Sequence, residues 1–209
     1  MTIEVLTQPA YEPVSLAQAR EWLRLESDDT ANTAVLQLLI RAMREDAENL
    51  THRAFVSRQL RLNLETWPTC HTYGSRIELP FPPLITVDSF KYVDTDGTLQ
   101  TLAASQYSVH DEAEPAFIIP AYQVTWPTIR QVPDAIQITF TAGYAVGSPP
   151  DEAAAQENVP KILKLWMQTK LATLFENREQ IISGTIVAKL PRDYTDGLLD
   201  SITVGTRLF

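Results

Sequence analysis

The sequence predicts an α+β protein: a helical bundle, built from an N-terminal helical hairpin and C-terminal helices, with an antiparallel β-sandwich or small barrel inserted between them. Three observations carry this. Apolar residues recur every three or four positions up to about residue 55. They then alternate with polar ones up to about residue 145, and beyond residue 160 the helical period returns. The strands follow one another with no helix of crossover length between them, so they pair antiparallel. The expected organisation is 1–55 as the first part of the helical base, 56–145 as the inserted β-domain, and 146–209 as linker, C-terminal helices and tail.

In the first segment, Ser15 followed by Gln18 has the spacing of a capping box. Leu16, Ala19, Trp22 and Leu23 then share one helical face. The stretch after Ser27 breaks the period and offers Asp29, Thr30 or Asn32 as a new cap. A longer helix follows, with Val35, Leu36, Leu39, Met43, Ala47 and Leu50 expected inward. Arg41, Arg44, Glu45 and Glu48 fall on the other face, which is expected to be solvated or to meet another subunit.

In the second segment, Leu60, Leu62 and Leu64 alternate with Arg61, Asn63 and Glu65, the pattern of a half-buried strand. RIELP, VDSFKYV, TLQTL, QYSVH and AIQITFTAGY supply further strands, separated by proline-rich joins such as PFPPL. In the third segment, residues 145–158 are small and polar and read as a linker or exposed loop. A helix starts at Pro160, a favoured first-turn residue. Ile162, Leu165, Trp166, Thr169, Ala172 and Phe175 form its expected stripe, to about Arg178. EQIISGTIVAK reads as a loop or a strand, Pro191 as the start of a last short helix with Leu198 and Leu199, and SITVGTRLF as an apolar tail.

Composition bounds what such a chain can do. Lys plus Arg number 17 against 26 Asp plus Glu, a net charge of −9. The middle third is the most acidic. Gripping nucleic acid takes a stripe of cations to neutralise phosphates, and none is present. An acidic surface does suit a protein past which DNA must slide. The single cysteine, Cys70, excludes an intrachain disulfide and fits a reducing cytoplasm. The N-terminal residues lack the cationic and apolar regions of a signal peptide, and no stretch approaches a membrane span.

The sharpest chemical motif is DTDGT. Asp94 and Asp96 match the signature of haloacid-dehalogenase-type phosphohydrolases, in which the first Asp attacks phosphorus and the second is acid/base. That chemistry needs a parallel strand feeding a helix. Here LQTL follows, suited to a return strand, and Asp-Gly between strands is a hairpin signal. The stretch also fails as a calcium loop, because Tyr92 and Ala103 stand at ligand positions. Cys70 and His71 are adjacent, so in extended chain they point apart and make a poor nucleophile–base pair. His52, His71 and His110 have no metal-ligand spacing, and no phosphate-binding glycine loop or G-x-S-x-G occurs. No cofactor, metal or catalytic residue is expected.

Taken in order, PVSLAQAREWLRLESDD, LIRAMREDAENLTHRAFVSRQ, IELPFPPLITVDSFKYVDTDG, YSVH, WP, ITFTAGY, VPKILKLWM, ENRE and LPRDYTDGLL resemble the head–tail connector (adaptor) proteins of tailed bacteriophages, from about Pro13 to Leu199. The resemblance implies a helical bundle with an inserted β-domain and a non-enzymatic virion protein made in the bacterial cytoplasm. It implies a ring, commonly dodecameric, beneath the portal protein in the virion neck. Such a ring extends the DNA channel, lets double-stranded DNA pass without specific binding, and carries the stopper or tail-completion protein. Its members also resemble this chain in having a strand–turn–strand with Asp and Gly at the DTDGT position. On this reading Arg41, Arg44, Glu45 and Glu48 form the subunit interface, and Arg207, Leu208 and Phe209, in a tail that relatives often lack, dock on the portal. The alternatives are a Mg²⁺-dependent phosphohydrolase using Asp94 and Asp96, or another neck part such as a stopper or tail terminator.

Overall fold

A computed structural model of the chain describes residues 1–68, 76–144, 151–176, 195 and 197–205. Cys70, His71, EQIISGTIVAK, the expected helix start at Pro191 and the tail residues Arg207, Leu208 and Phe209 lie outside the described residues, whereas Leu198 and Leu199 are described and form a turn before a 3-10 helix at Asp200–Ile202. The architecture is α+β with antiparallel sheets. The chain divides into two compact units, Met1–Ala10 with Ser57–Tyr144, and Tyr11–Val56 with Ala145–Phe209.

Among the described residues the first unit holds eight strands: β1 (Thr2–Val5), β2 (Arg58–Leu64), β3 (Ile77–Glu78), β4 (Leu84–Val93), β5 (Leu99–Thr101), β6 (Tyr107–His110), β7 (Phe117–Pro120) and β8 (Ile136–Ala142). They form a five-stranded sheet in the order β1-β2-β8-β4-β5 and a three-stranded sheet in the order β3-β7-β6, every pairing antiparallel. The sheets stay separate, so of the two expected forms the closed barrel falls away. Register follows from the alternating pattern. Leu60, Leu62 and Leu64 oppose Phe140, Ile138 and Ile136, and all six are buried. Phe90 on β4 opposes Ile138 and touches Tyr107 on β6, ring centroids 5.3 Å apart, so an aromatic group spans the sheets. Trp67 and Trp126 stack at 4.7 Å beside it, and the Trp67 indole donates to the Pro127 carbonyl at 2.8 Å.

Two strands depart from the sequence expectation. Thr2–Val5, expected within the helical base, is an edge strand whose Ile3 pairs with Leu62. Its Ile and Val alternate with Thr and Glu, and four residues are too few to show that period. Strand β7 was not expected either, because Pro115 and Pro120 bracket it and read as breaks. It is an inner strand, yet proline is tolerated at its end.

The second unit holds α1 (Leu16–Trp22), α2 (Thr33–Thr51), α3 (Glu152–Asn158) and α4 (Lys161–Glu176). The capping box at Ser15 is formed: its hydroxyl accepts from the Gln18 N–H at 3.1 Å and the Gln18 side chain accepts from the Ser15 N–H at 3.2 Å. Asn32 occupies the cap position of α2, while Asp29 accepts from the Asn32 backbone and side chain. Arg20 holds the join by donating to Asp29 O, Ser27 O and Thr33 Oγ1.

The stripes of the long helices are rotated from those expected. On α2 the buried apolar residues are Leu36, Ile40, Met43 and Ala47, with Val35 and Leu50 exposed. On α4 they are Leu163, Trp166, Met167 and Leu171, with Leu165 exposed. Both helices are apolar on more than one side, so spacing alone does not choose the inward face. The expected loop 145–158 is helical over Glu152–Asn158, started by Asp151, whose carboxylate accepts from the Ala154 N–H at 3.3 Å. Three consecutive alanines favour helix more strongly than their small size suggests loop. Pro160 stands just before α4, and its carbonyl accepts from Leu163 N at 3.0 Å.

Candidate functional site

The DTDGT segment is a tight turn between β4 and β5. Asp94 N–H donates to Thr98 O at 2.9 Å, and Gly97 N–H donates to Asp94 O at 3.1 Å. Gly97 has φ +86°, a left-handed backbone that L side chains rarely adopt, so the turn favours glycine. Both Asp94 oxygens are engaged locally. Oδ1 accepts from Asp96 N at 3.0 Å and Thr98 N at 2.8 Å, and Oδ2 accepts from Gln100 Nε2 at 2.9 Å. The Gln100 amide, followed by the backbone N–H groups, holds the Asp94 carboxyl below its ordinary range. A phosphate-attacking Asp needs a free oxygen on a parallel strand that leads into a helix. Here the strand is antiparallel and leads into another strand, so Asp94 shapes a turn. Among the described residues no group of three or more His, Cys, Asp or Glu is placed to hold a metal ion.

The charged residues expected at a subunit interface separate into two kinds. Arg44 and Glu48 are buried, each side chain 4% exposed, and belong to an internal network. Arg44 Nε donates to Glu12 Oε2 at 2.9 Å, and its Nη1 donates to Glu48 Oε2 at 2.8 Å. Glu48 Oε1 accepts from the Phe55 N–H at 3.1 Å, which fixes the chain leaving α2. Burial alone would lower the Arg44 pKa, but the Glu12 and Glu48 carboxylates outweigh it and raise it further above its ordinary value. Such a network is inward structure rather than a solvated face. Arg41 and Glu45 do face outward, with Arg41 4.0 Å from Glu12 and Glu45 3.4 Å from Arg44. Glu12 carries no local signal in the sequence, because its hydrogen-bond partner Arg44 lies 32 positions later.

The remaining surface of the helical unit has an open groove of about 610 Å³ between α1 and α4, lined by Gln18, Glu21, Trp22, Arg24, Lys164 and Gln168. Burial pushes the Lys164 ammonium below its usual range. Beside these charged residues the unit exposes Val35 and Leu38 of α2 and Leu165 of α4, which sequence reasoning assigned inward or passed over. No helix among the described residues is long and apolar enough to cross a membrane. The described residues of this unit offer surfaces suited to protein contact.

No protein-family model matches the chain, and no curated protein matches it. Solved structures do. A chain in the neck of an empty gene transfer agent particle, computed with C6 symmetry, superposes with a TM-score of 0.76 at 24% identity, over 100% of this chain and 98% of that one. The fold is shared with chains of gene transfer agent particles. A chain of the native gene transfer agent virion gives a TM-score of 0.74 at 23% identity, and one in the neck of the native particle, computed with C12 symmetry, gives 0.69 at 22%. Each covers all of this chain and 98% of its counterpart, so the likeness extends to both units.

Proposed function

We propose that this chain is a structural subunit of the head–tail neck of a tailed-phage-like particle, an adaptor that forms a ring beneath the portal protein. The ring extends the DNA channel and gives the stopper or tail-completion protein its platform. The observation that carries the reading is the end-to-end likeness to a chain from a particle neck, over 100% of this chain and 98% of that one. Necks computed with C6 and C12 symmetry are what rings of repeated subunits yield, and a dodecamer is the stoichiometry proposed here. The ordered sequence resemblance from Pro13 to Leu199 points the same way. So does a surface with a net charge of −9, past which DNA slides without being held.

Within this reading Arg41 and Glu45 remain available to a neighbouring subunit, whereas Arg44 and Glu48 hold their own subunit together. The portal contact is assigned to Arg207, Leu208 and Phe209. Ile202 and Val204 are held to the helical unit, because the Val204 N–H donates to Thr51 O at 2.9 Å and Arg53 donates to Ile202 O. Truncation after Gly205 is therefore expected to leave stability unchanged and abolish loading onto portals; unchanged loading removes this assignment.

Deleting the gene from the producing phage or prophage and imaging the particles by negative-stain microscopy tests the whole proposal. Tailless heads that package DNA and leak it, with bare portals, are expected. Complete virions contradict it, and the Asp94 motif would then be assayed for Mg²⁺-dependent phosphatase activity.

A further inference from the structure

The two long helices of the helical unit each carry a second apolar stripe turned away from the core. On α2 the inward residues are Leu36, Ile40, Met43 and Ala47. Leu38 lies about half a turn, and Val35 and Ala42 about a third of a turn, round the helix from them, and Leu38 is 68% exposed. On α4 the inward residues are Leu163, Trp166, Met167 and Leu171. Ile162, Leu165, Thr169 and Ala172 line the other side, with Leu165 43% exposed. The Thr169 hydroxyl donates to Leu165 O at 2.8 Å, so this face holds little polar surface that a partner would have to desolvate. Scattered exposed apolar residues are ordinary, but an apolar row repeated along the outer face of each of two helices suits a contact surface.

The stripes differ in a complementary way, and that difference identifies the occupant. The α2 stripe projects Leu38 and is flanked toward its C-terminal end by exposed Glu45 and Asp46. The α4 stripe begins at exposed Lys161 and is small-featured at Thr169 and Ala172. Laid antiparallel, Leu38 meets the small side chains of Thr169 and Ala172, and Leu165 meets Ala42. Asp46 then reaches Lys161, since each lies one helical turn beyond that pair. We propose that the α2 stripe of one copy docks on the α4 stripe of the next copy of this chain. The inference rests on the ring reading above and gives it its contact. Two unlike faces join head to tail and propagate until the rotation closes, whereas one self-complementary face stops at a dimer.

Full-length chain carrying Leu38→Asp or Leu165→Asp tests this by analytical ultracentrifugation, with circular dichroism as the check on folding. Wild-type chain is expected to assemble with rising concentration, and either variant to weaken association by roughly tenfold or more, because it buries a charge in the contact. An equimolar mixture of the two variants is expected to stop at a dimer, since each supplies the intact face the other lacks. The charge pair gives a second route that leaves the core untouched. Asp46→Lys and Lys161→Asp each weaken association, and the double variant recovers it. Rings unchanged by both aspartate variants overturn the proposed surfaces and leave the ring reading standing. A mixture that stays monomeric overturns the pairing of the two faces. Wild-type chain that remains monomeric up to about 1 mM overturns this contact, while the ring reading is decided separately by the particles that lack the chain.

Discussion

Arg44 lies on a helix face rich in charge, and its chemistry depends on what lies across from it. With both Glu12 and Glu48 in hydrogen-bond reach, its guanidinium is satisfied in a place water hardly enters. Removing it strands two carboxylates. Arg44→Ala is expected to lower unfolding free energy by about 3–5 kcal/mol, measured by urea denaturation. Glu48→Gln keeps an acceptor for the Phe55 N–H and should cost less, so the opposite order contradicts the network as described. Asp94 acts at the same scale. Its carboxyl is held below its ordinary range in the folded chain, so its contribution is present above the unfolded value and is lost as pH falls through the depressed folded one. Thermal melts from pH 7 down into the acid range are expected to show a stability loss that Asp94→Asn reduces. An identical acid limb in the variant would mean that the turn hydrogen bonds contribute nothing.

At the scale of elements, the sequence disclosed those whose pattern is set locally. The Ser15–Gln18 box, the leucine alternation of β2 and the isoleucine–phenylalanine alternation of β8 were legible because cap spacing and period two are properties of neighbouring residues. The DTDGT turn was legible for the same reason. Gly97→Ala is expected to cost about 1–2 kcal/mol, since its left-handed φ opposes a Cβ, and the cost is read as a fall in melting temperature. An unchanged melting temperature would mean that the turn tolerates a side chain. What the sequence hid was set by distance. Whether Val35 or Leu36 faces inward on α2, or Leu165 or Trp166 on α4, depends on what packs against each helix, and no local period encodes that. Edge strand β1 is recognisable only beside β2, its partner more than 50 positions later. The candidate site was the least legible part, because an interface residue and a buried ion-pair residue look alike in one sequence. Arg41 and Arg44 illustrate this, three positions apart with opposite fates.

At the scale of the whole molecule, the proposed neck role draws on surfaces and charge. A net charge of −9 without a cationic stripe predicts that the free chain leaves double-stranded DNA unshifted in a mobility assay at physiological salt. Tight, salt-sensitive retention would contradict a channel lining. The end-to-end likeness to a particle-neck chain spans both units, so the helical and β parts are expected to work as one subunit. The most direct test is to see where the chain sits in the particle. Purified particles labelled with gold-conjugated antibody against the chain should carry the label at the head–tail junction. Label on the capsid shell or at the tail tip, or particles with none, would contradict a neck subunit.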